Sequence, residues 1–312
     1  MMPCADWHAI GSDIMSDMLP GCYPNLPAEE YHTGPGISKS LLDAFQISPW
    51  YFEQAKLGKG KTSSGFDMGT AAHYAVLQPE LFDKYVVCGP EDRRGKKWKD
   101  LVADNPGKTI LTAGEYQEIM QVRDAVLNHP TASSLMTAGE PELSYYWIDP
   151  GTGLLCRCRP DRTIHPMFGD DSGELVDFKL VARENAETSR FLKYIINYDY
   201  YVQAAFYLDG VSEVERAPFK GFTFVVCEKE TYQIRAFHFP SDHFLVEAGR
   251  IKYTHYLFKL AEYLNNPPEY IGYPLEIEQP EAPAWFVRQV QNGDFEWASS
   301  CLNLPNGDGH LE

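Results

Sequence analysis

Two aspartates and a lysine carry the most distinctive chemistry available to this chain. Asp161 closes the run Arg159-Pro160-Asp161, fifteen residues intervene, and Asp177 and Lys179 then flank Phe178. Side chains alternate along a strand, so Asp177 and Lys179 share one face, and a hairpin sets Asp161 beside them. Two carboxylates and an ammonium at one point suit hydrolysis of a phosphodiester. Hard carboxylate oxygens hold Mg²⁺, the cation polarises phosphate and lowers the pKa of bound water, and the lysine orients that water or meets developing charge. The competing reading is two turn and edge-strand acids with a surface salt bridge of little worth. Against it, Lys179 follows Asp177 inside an apolar run (Leu175, Val176, Phe178, Leu180, Val181), where charge is costly unless paired or used. On residue types alone both readings stand.

The elements that must position these residues are legible as pattern. From Leu143 to Val181 the spacing predicts a three-strand antiparallel meander: LSYYWID, a Pro-Gly-Thr-Gly turn, LLCRCRPDRTI, a polar turn at Gly169 to Gly173, and ELVDFKLV. Residues 188 to 209 predict one long aromatic-rich helix with Gly210 as its stop, on which Gln203 and Tyr207, four apart, share a face. GFTFVVCEKETYQIRAFHF predicts a hairpin turning at Glu228 to Glu230, followed by an amphipathic helix capped by Ser241. Upstream, Ser38 or Ser40 caps a helix that Pro49 interrupts or restarts, and FDMGTAAHYAVL places His73 on another. Residues 1–30 read as an irregular arm, 31–265 as the folded domain, and 266–312 as a Pro-rich tail packing on the body or on a neighbour.

With 44 acidic against 27 basic residues the net charge is −17, which argues against a nonspecific DNA coat. A local basic groove remains compatible with it, and Arg93, Arg94, Lys96, Lys97 and Trp98 form one concentrated patch. Such a run is a solvated surface or a DNA contact, with Lys and Arg on phosphates and Trp on a base. The seven cysteines are odd in number and scattered, fitting a reducing cytosol rather than a disulfide framework. Cys156 and Cys158 lack zinc-knuckle spacing and read as packing. No apolar run is long enough to span a bilayer, and the first residues lack a basic segment followed by an apolar core, so the expectation is a soluble chain, neither secreted nor anchored.

Pro160-Asp161 followed by Asp177-Phe178-Lys179 resembles the PD-(D/E)XK nuclease signature, with Asp in the (D/E) position. The wider resemblance, from Tyr31 to Leu264, is to the RecE-type phage and prophage exonucleases, which are lambda exonuclease-like. It includes YHTGPGISKS, MGTAAH, the acid in PELSYYW, GLLCRCRPD, VDFK and YDYYVQAAFY. It implies an α/β fold, a restriction-endonuclease-like core with a central mixed β-sheet flanked by helices. It also implies a site of His73, Glu142, Asp161, Asp177, Lys179, Gln203 and Tyr207, with the Phe178 backbone carbonyl as a further metal ligand and Mg²⁺ or Mn²⁺, two ions per site. The activity implied is 5′ to 3′ resection of linear double-stranded DNA to mononucleotides and a 3′ overhang for a single-strand-annealing partner. A trimeric or tetrameric ring in the cytoplasm of a bacterial host goes with it.

Ser38 and Ser40 open a helix whose free N–H groups suit a terminal phosphate or an ordinary cap, and Arg157 and Arg159 are candidates for the DNA backbone. Alternatives are a structure-specific endonuclease or helicase-associated nuclease domain using the same centre, and a noncatalytic adaptor that keeps only the fold.

Overall fold

The computed structural model describes residues 18–58, 64–166, 172–273 and 275–292. Strand β1 (Gly21–Tyr23) and helix α1 (Ala28–Thr33) lead into α2 (Lys39–Ile47) and α3 (Pro49–Lys56). Ser38 caps α2 by accepting from Leu41 N–H; Ser48 caps α3, with Pro49 in the first turn, where a missing N–H costs nothing. Helices α4 (Ser64–Leu77) and α5 (Pro79–Tyr85) precede β2 (Val86–Cys88), which runs parallel to β3 (Thr109–Leu111) across α6 (Lys96–Asp104). A reciprocal capping box between Thr112 and Glu115 starts α7 (Ala113–Asn128), and α8 (Pro130–Thr137) follows.

Next come β4 (Glu140–Pro141), β5 (Ser144–Ile148), β6 (Leu155–Cys158), β7 (Arg162–Ile164) and β8 (Gly173–Val181). Helices α9 (Thr188–Asn197) and α10 (Tyr200–Glu215), the hairpin β9 (Phe219–Glu228) and β10 (Ile234–Pro240), and α11 (Phe244–Asn265) complete the unit. The main sheet has the order β10-β9-β8-β7-β4; β8 is parallel to β9 and antiparallel to β7, so the sheet is mixed. A second sheet, β1-β5-β6, is antiparallel. This is the α/β, restriction-endonuclease-like core that the motifs imply.

Period-two alternation makes β8 the partition between two apolar clusters. Leu175 and Val181 pack with Phe191, Phe206 and Phe224, while Val176 and Phe178 pack with Ala72, Val122 and Val126. Helices α9, α10 and α11 thus serve one face of the strand and α4, α7 and α8 the other.

Several local expectations change. The meander is not one sheet: β6 stays with β5 and β1, whereas β7 joins β8, because the strand LLCRCRPDRTI breaks at Arg159–Asp161, where Pro160 has no N–H for a ladder. Its following turn lies largely outside the described residues. The long helix is two helices, broken at Tyr198 and Asp199, and Gly210 lies inside α10, where a Cβ would sit 2.4 Å from the Trp147 ring. His243, not Ser241, caps α11, its ring accepting from Leu245 N–H. The N-terminal arm holds β1, paired with β5, and residues 1–17 lie outside the described residues. The first compact unit runs to Ile271, whose carbonyl accepts Trp50 N–H at 3.0 Å; the second begins at Gly272 and contains α12 (Ala284–Gln291).

Candidate active site

Antiparallel register sets Arg162 opposite Val176, so Asp161, just before β7, falls beside Asp177 on β8. The Phe178 N–H donates to Asp161 Oδ2 at 2.5 Å. A strand residue directs its N–H and C=O to the same edge, so the Phe178 carbonyl, an implied ligand, faces Asp161 too. His73, on α4, brings Nε2 to 3.3 Å from the same Oδ2. Its Nδ1 lies 2.8 Å from the Gly69 carbonyl, which only accepts, so Nδ1 carries the proton. The ring packs edge-on against Phe178, at 5.6 Å between centroids.

Asp177 is engaged from two directions. Gln203 on α10 donates Nε2–H to its Oδ2 at 2.5 Å, and the Lys179 ammonium forms an ion pair with Oδ1. Lys179 in turn lies 4.7 Å from the centre of the Tyr200 ring. Glu142 occupies the crossing between β4 and β5 at φ 53°, with its N–H on the Asp161 carbonyl at 3.2 Å. Tyr207, one turn beyond Gln203, packs edge-on against Phe222 at 6.2 Å. Tyr200 was not among the expected residues, although it precedes Gln203 by three and therefore shares its helix face.

Crowding sets the charges. Burial alone would lower the His73 pKa, but the Asp161 carboxylate against it raises it to about 9. Burial would raise Asp161; His73, Lys179 and the Phe178 N–H hold it below the usual carboxylate range. Glu142 is pushed up to about 7 by burial and then by Asp161. Burial raises Asp177, with the neighbouring Asp161 adding to it and Lys179 opposing. Burial lowers the Lys179 pKa, and Asp177 more than restores it, so the lysine stays charged. Burial comes first in raising the Tyr207 phenol, with Asp177 and Asp161 among the charges that add to it.

Among the described residues, no three His, Cys, Asp or Glu side chains are gathered closely enough to enclose one ion. Asp161 is turned to His73 and the main chain, and Asp177 to Gln203 and Lys179. The donor chemistry nevertheless fits a divalent cation. Glu142, Asp161 and Asp177 supply hard oxygens, burial first and Asp161 after it raise the Glu142 and Asp177 carboxyls, and buried Asp177 Oδ1 accepts no aligned hydrogen bond despite its ion-pair contact. His73 completes the set at its edge.

Two expected DNA contacts are corrected. Arg157 is only 4% exposed, and its guanidinium donates to the carbonyls of Tyr31, His32 and Gly34. Arg159 donates to Ser144 Oγ and the Leu26 carbonyl and lies over the Tyr31 ring at 4.2 Å. Arg157 is committed to the backbone of the segment around α1, and Arg159 divides its bonds between that segment and Ser144 on β5. Ser38 is spent on the α2 cap, with Ser40 Oγ 2.9 Å from its hydroxyl. In the basic patch, Arg93 pairs with Glu115 and Arg94 with Asp92, Arg93 also lies over the half-buried Trp98 ring, and Lys96 and Lys97 are exposed. Cys156 and Cys158 are buried in the cluster that α10 covers.

Residues 38–269 match the family described as a PDDEXK-like domain of unknown function (DUF3799). The chain belongs to this family. Membership makes it a PD-(D/E)XK-type chain, a superfamily of nucleases that generally depend on a divalent metal. Among curated proteins it is similar to the acetyl-coenzyme A carboxylase carboxyl transferase subunit alpha of Sulfurimonas denitrificans (strain ATCC 33889 / DSM 1251), 25% identical over 109 residues, 34% of each chain. The PDDEXK-like chain thus spans about a third of that relative's length. The crystal structure of SSO0001 is similar over 64% of this chain and 87% of its own, at 13% identity and a TM-score of 0.28. No helix among the described residues is long and apolar enough to cross a membrane.

Proposed function

We propose that this PDDEXK-like chain is a metal-dependent exodeoxyribonuclease that resects linear duplex DNA 5′ to 3′, releasing mononucleotides and leaving a 3′ overhang for single-strand annealing. The observation that carries the catalytic part is the meeting of Asp161, Asp177, Lys179 and Gln203 across β7, β8 and α10. The end-directed part is supported by the ordered RecE-like motifs around that centre.

Glu142, Asp161, Asp177 and the Phe178 carbonyl, with His73, are the groups that would hold Mg²⁺ or Mn²⁺, two ions per site. Bound there, divalent cation supplies phosphate polarisation and a water of lowered pKa. The chain's own groups perform the rest. Lys179, held charged by Asp177, donates to the attacking water or to a phosphoryl oxygen as charge grows on it. Gln203 fixes one Asp177 oxygen and so aims the other. Tyr207 closes the helix side of the site. A ring of three or four copies would give processivity and reconcile an acidic exterior with a DNA-lined interior.

Duplexes labelled separately at the 5′ and 3′ ends, with and without a 5′-phosphate, test the reading against circular DNA of the same sequence. Early release of the 5′ label from linear DNA alone is expected. Equal cleavage of circles would instead make the chain an endonuclease.

A further inference from the structure

Only Tyr198 and Asp199 separate α9 from α10. Asp199 adopts φ 55° and ψ 34°, the left-handed conformation that a residue with a Cβ takes at a cost. The kink is pinned from two sides. Lys252 on α11 donates to both Asp199 carboxylate oxygens at 2.8 Å, and Lys39 on α2 donates to the Tyr198 carbonyl at 3.0 Å.

The kink aligns rings that a continuous helix would keep apart, since residues two apart do not face each other on a helix. Tyr198 and Tyr200 stack with centroids 5.9 Å apart and planes at 27°, and Tyr194 adds a third ring 4.8 Å from Tyr198. At the inner end Tyr200 stacks on Phe224 at 5.9 Å and lies against the Lys179 ammonium at 4.7 Å. At the outer end Tyr198 leaves 54% of its surface open. An aromatic series therefore runs from solvent to the amine at the reaction point, held by a strained residue and two lysines.

We infer that Tyr198, backed by Tyr200, is a base-binding platform: an unpaired nucleobase of the strand being cut rests on Tyr198 while the adjoining phosphodiester reaches Lys179. The inference rests on the nuclease reading above and adds a subsite to it. Every base offers a π-face, so the platform tolerates any sequence. A paired base is already stacked within its duplex, so the platform favours a frayed end over an intact one. The ligand class is thus the terminal, unpaired part of a DNA strand.

The test uses the full chain, with Ca²⁺ replacing Mg²⁺ to hold substrate uncut, and linear duplexes with a short frayed 5′ end. Either 2-aminopurine or an abasic residue is placed at each frayed position in turn. Wild type should quench 2-aminopurine at one position and bind the abasic strand there about tenfold more weakly. Tyr198→Ala should bind the frayed end that keeps all its bases about tenfold more weakly and be indifferent to the abasic residue, while Tyr198→Trp should behave as wild type. A wild type indifferent to abasic residues at every position overturns the platform, as does a Tyr198→Ala chain with undiminished abasic discrimination. Should Tyr198→Ala fail to fold, the wild-type abasic series decides alone. Nucleotide release from unmodified linear duplex with Mg²⁺ is measured separately. Cutting without an abasic response removes only the platform; absence of cutting removes the nuclease reading itself.

Discussion

The Phe178 backbone N–H is bonded to Asp161 Oδ2 at 2.5 Å, so the main chain between Asp177 and Lys179 positions the carboxylate of the neighbouring strand. The link needs only the backbone N–H at 178, which proline alone among the residues would remove. It leaves the chemistry to the side chains on either side.

Lys179→Ala should lower kcat for nucleotide release by about 10²–10³-fold while KM changes little, because the ammonium acts on charge that appears only in the transition state. Asp161→Asn and Asp177→Asn should each abolish the Mg²⁺-dependent part of the rate. Single-turnover release of acid-soluble label from linear duplex measures both; unchanged rates would reduce the triad to a buried structural ion pair.

Gln203 is a positioning residue. Gln203→Ala leaves buried Asp177 Oδ2 without its donor, a loss of about 1–3 kcal/mol in stability. Activity should fall, and Gln203→Glu, which sets a second carboxylate against Asp177, should restore neither property. Urea midpoints and kcat on the same preparations check this.

Glu228, buried at the end of β9, accepts the Ala186 N–H at 3.1 Å and the Thr231 hydroxyl at 2.7 Å. Burial alone would raise its carboxyl, but these bonds hold it below the usual value of 4.5. Its stabilisation is therefore complete above that unfolded value and is lost as pH falls through the lower folded one. Glu228→Gln should cost about 1–3 kcal/mol at pH 7, and the gap from wild type should close in strong acid. Denaturation at a series of pH values measures it, and a pH-independent gap would contradict it.

Gly210→Ala should destabilise by about 1–3 kcal/mol even though alanine favours helix, because the new methyl meets the rigid Trp147 ring at 2.4 Å. The thermal midpoint reports it, and a stabilised variant would show that α10 and β5 can separate freely.

Strand and helix periodicity and a rare combination of residue types made the elements and the Asp161, Asp177 and Lys179 trio legible in the sequence. The fold class and the wider set of His73, Glu142, Gln203 and Tyr207 came from the family resemblance. An ammonium in the apolar run of β8 marked Lys179, and spacing on a helix joined Gln203 to Tyr207. What escaped depends on long-range partners. The fates of Arg157 and Arg159 are decided by carbonyls of a segment more than a hundred residues earlier, to which no local pattern points. The break at Asp199 has no Gly or Pro to announce it; Lys39 and Lys252, distant in sequence, hold it. Gly210 resembled a helix stop, but the indole it makes room for belongs to β5.

The strand that carries Asp177 and Lys179 is packed on both faces by separate apolar clusters, so neither cluster can loosen without disturbing it. Amides along β8 should accordingly be among the last in the molecule to exchange with deuterated solvent, opening only with the whole domain. Heat inactivation would then coincide with global melting instead of preceding it, and an intermediate that has lost either half of the core would already be inert toward DNA.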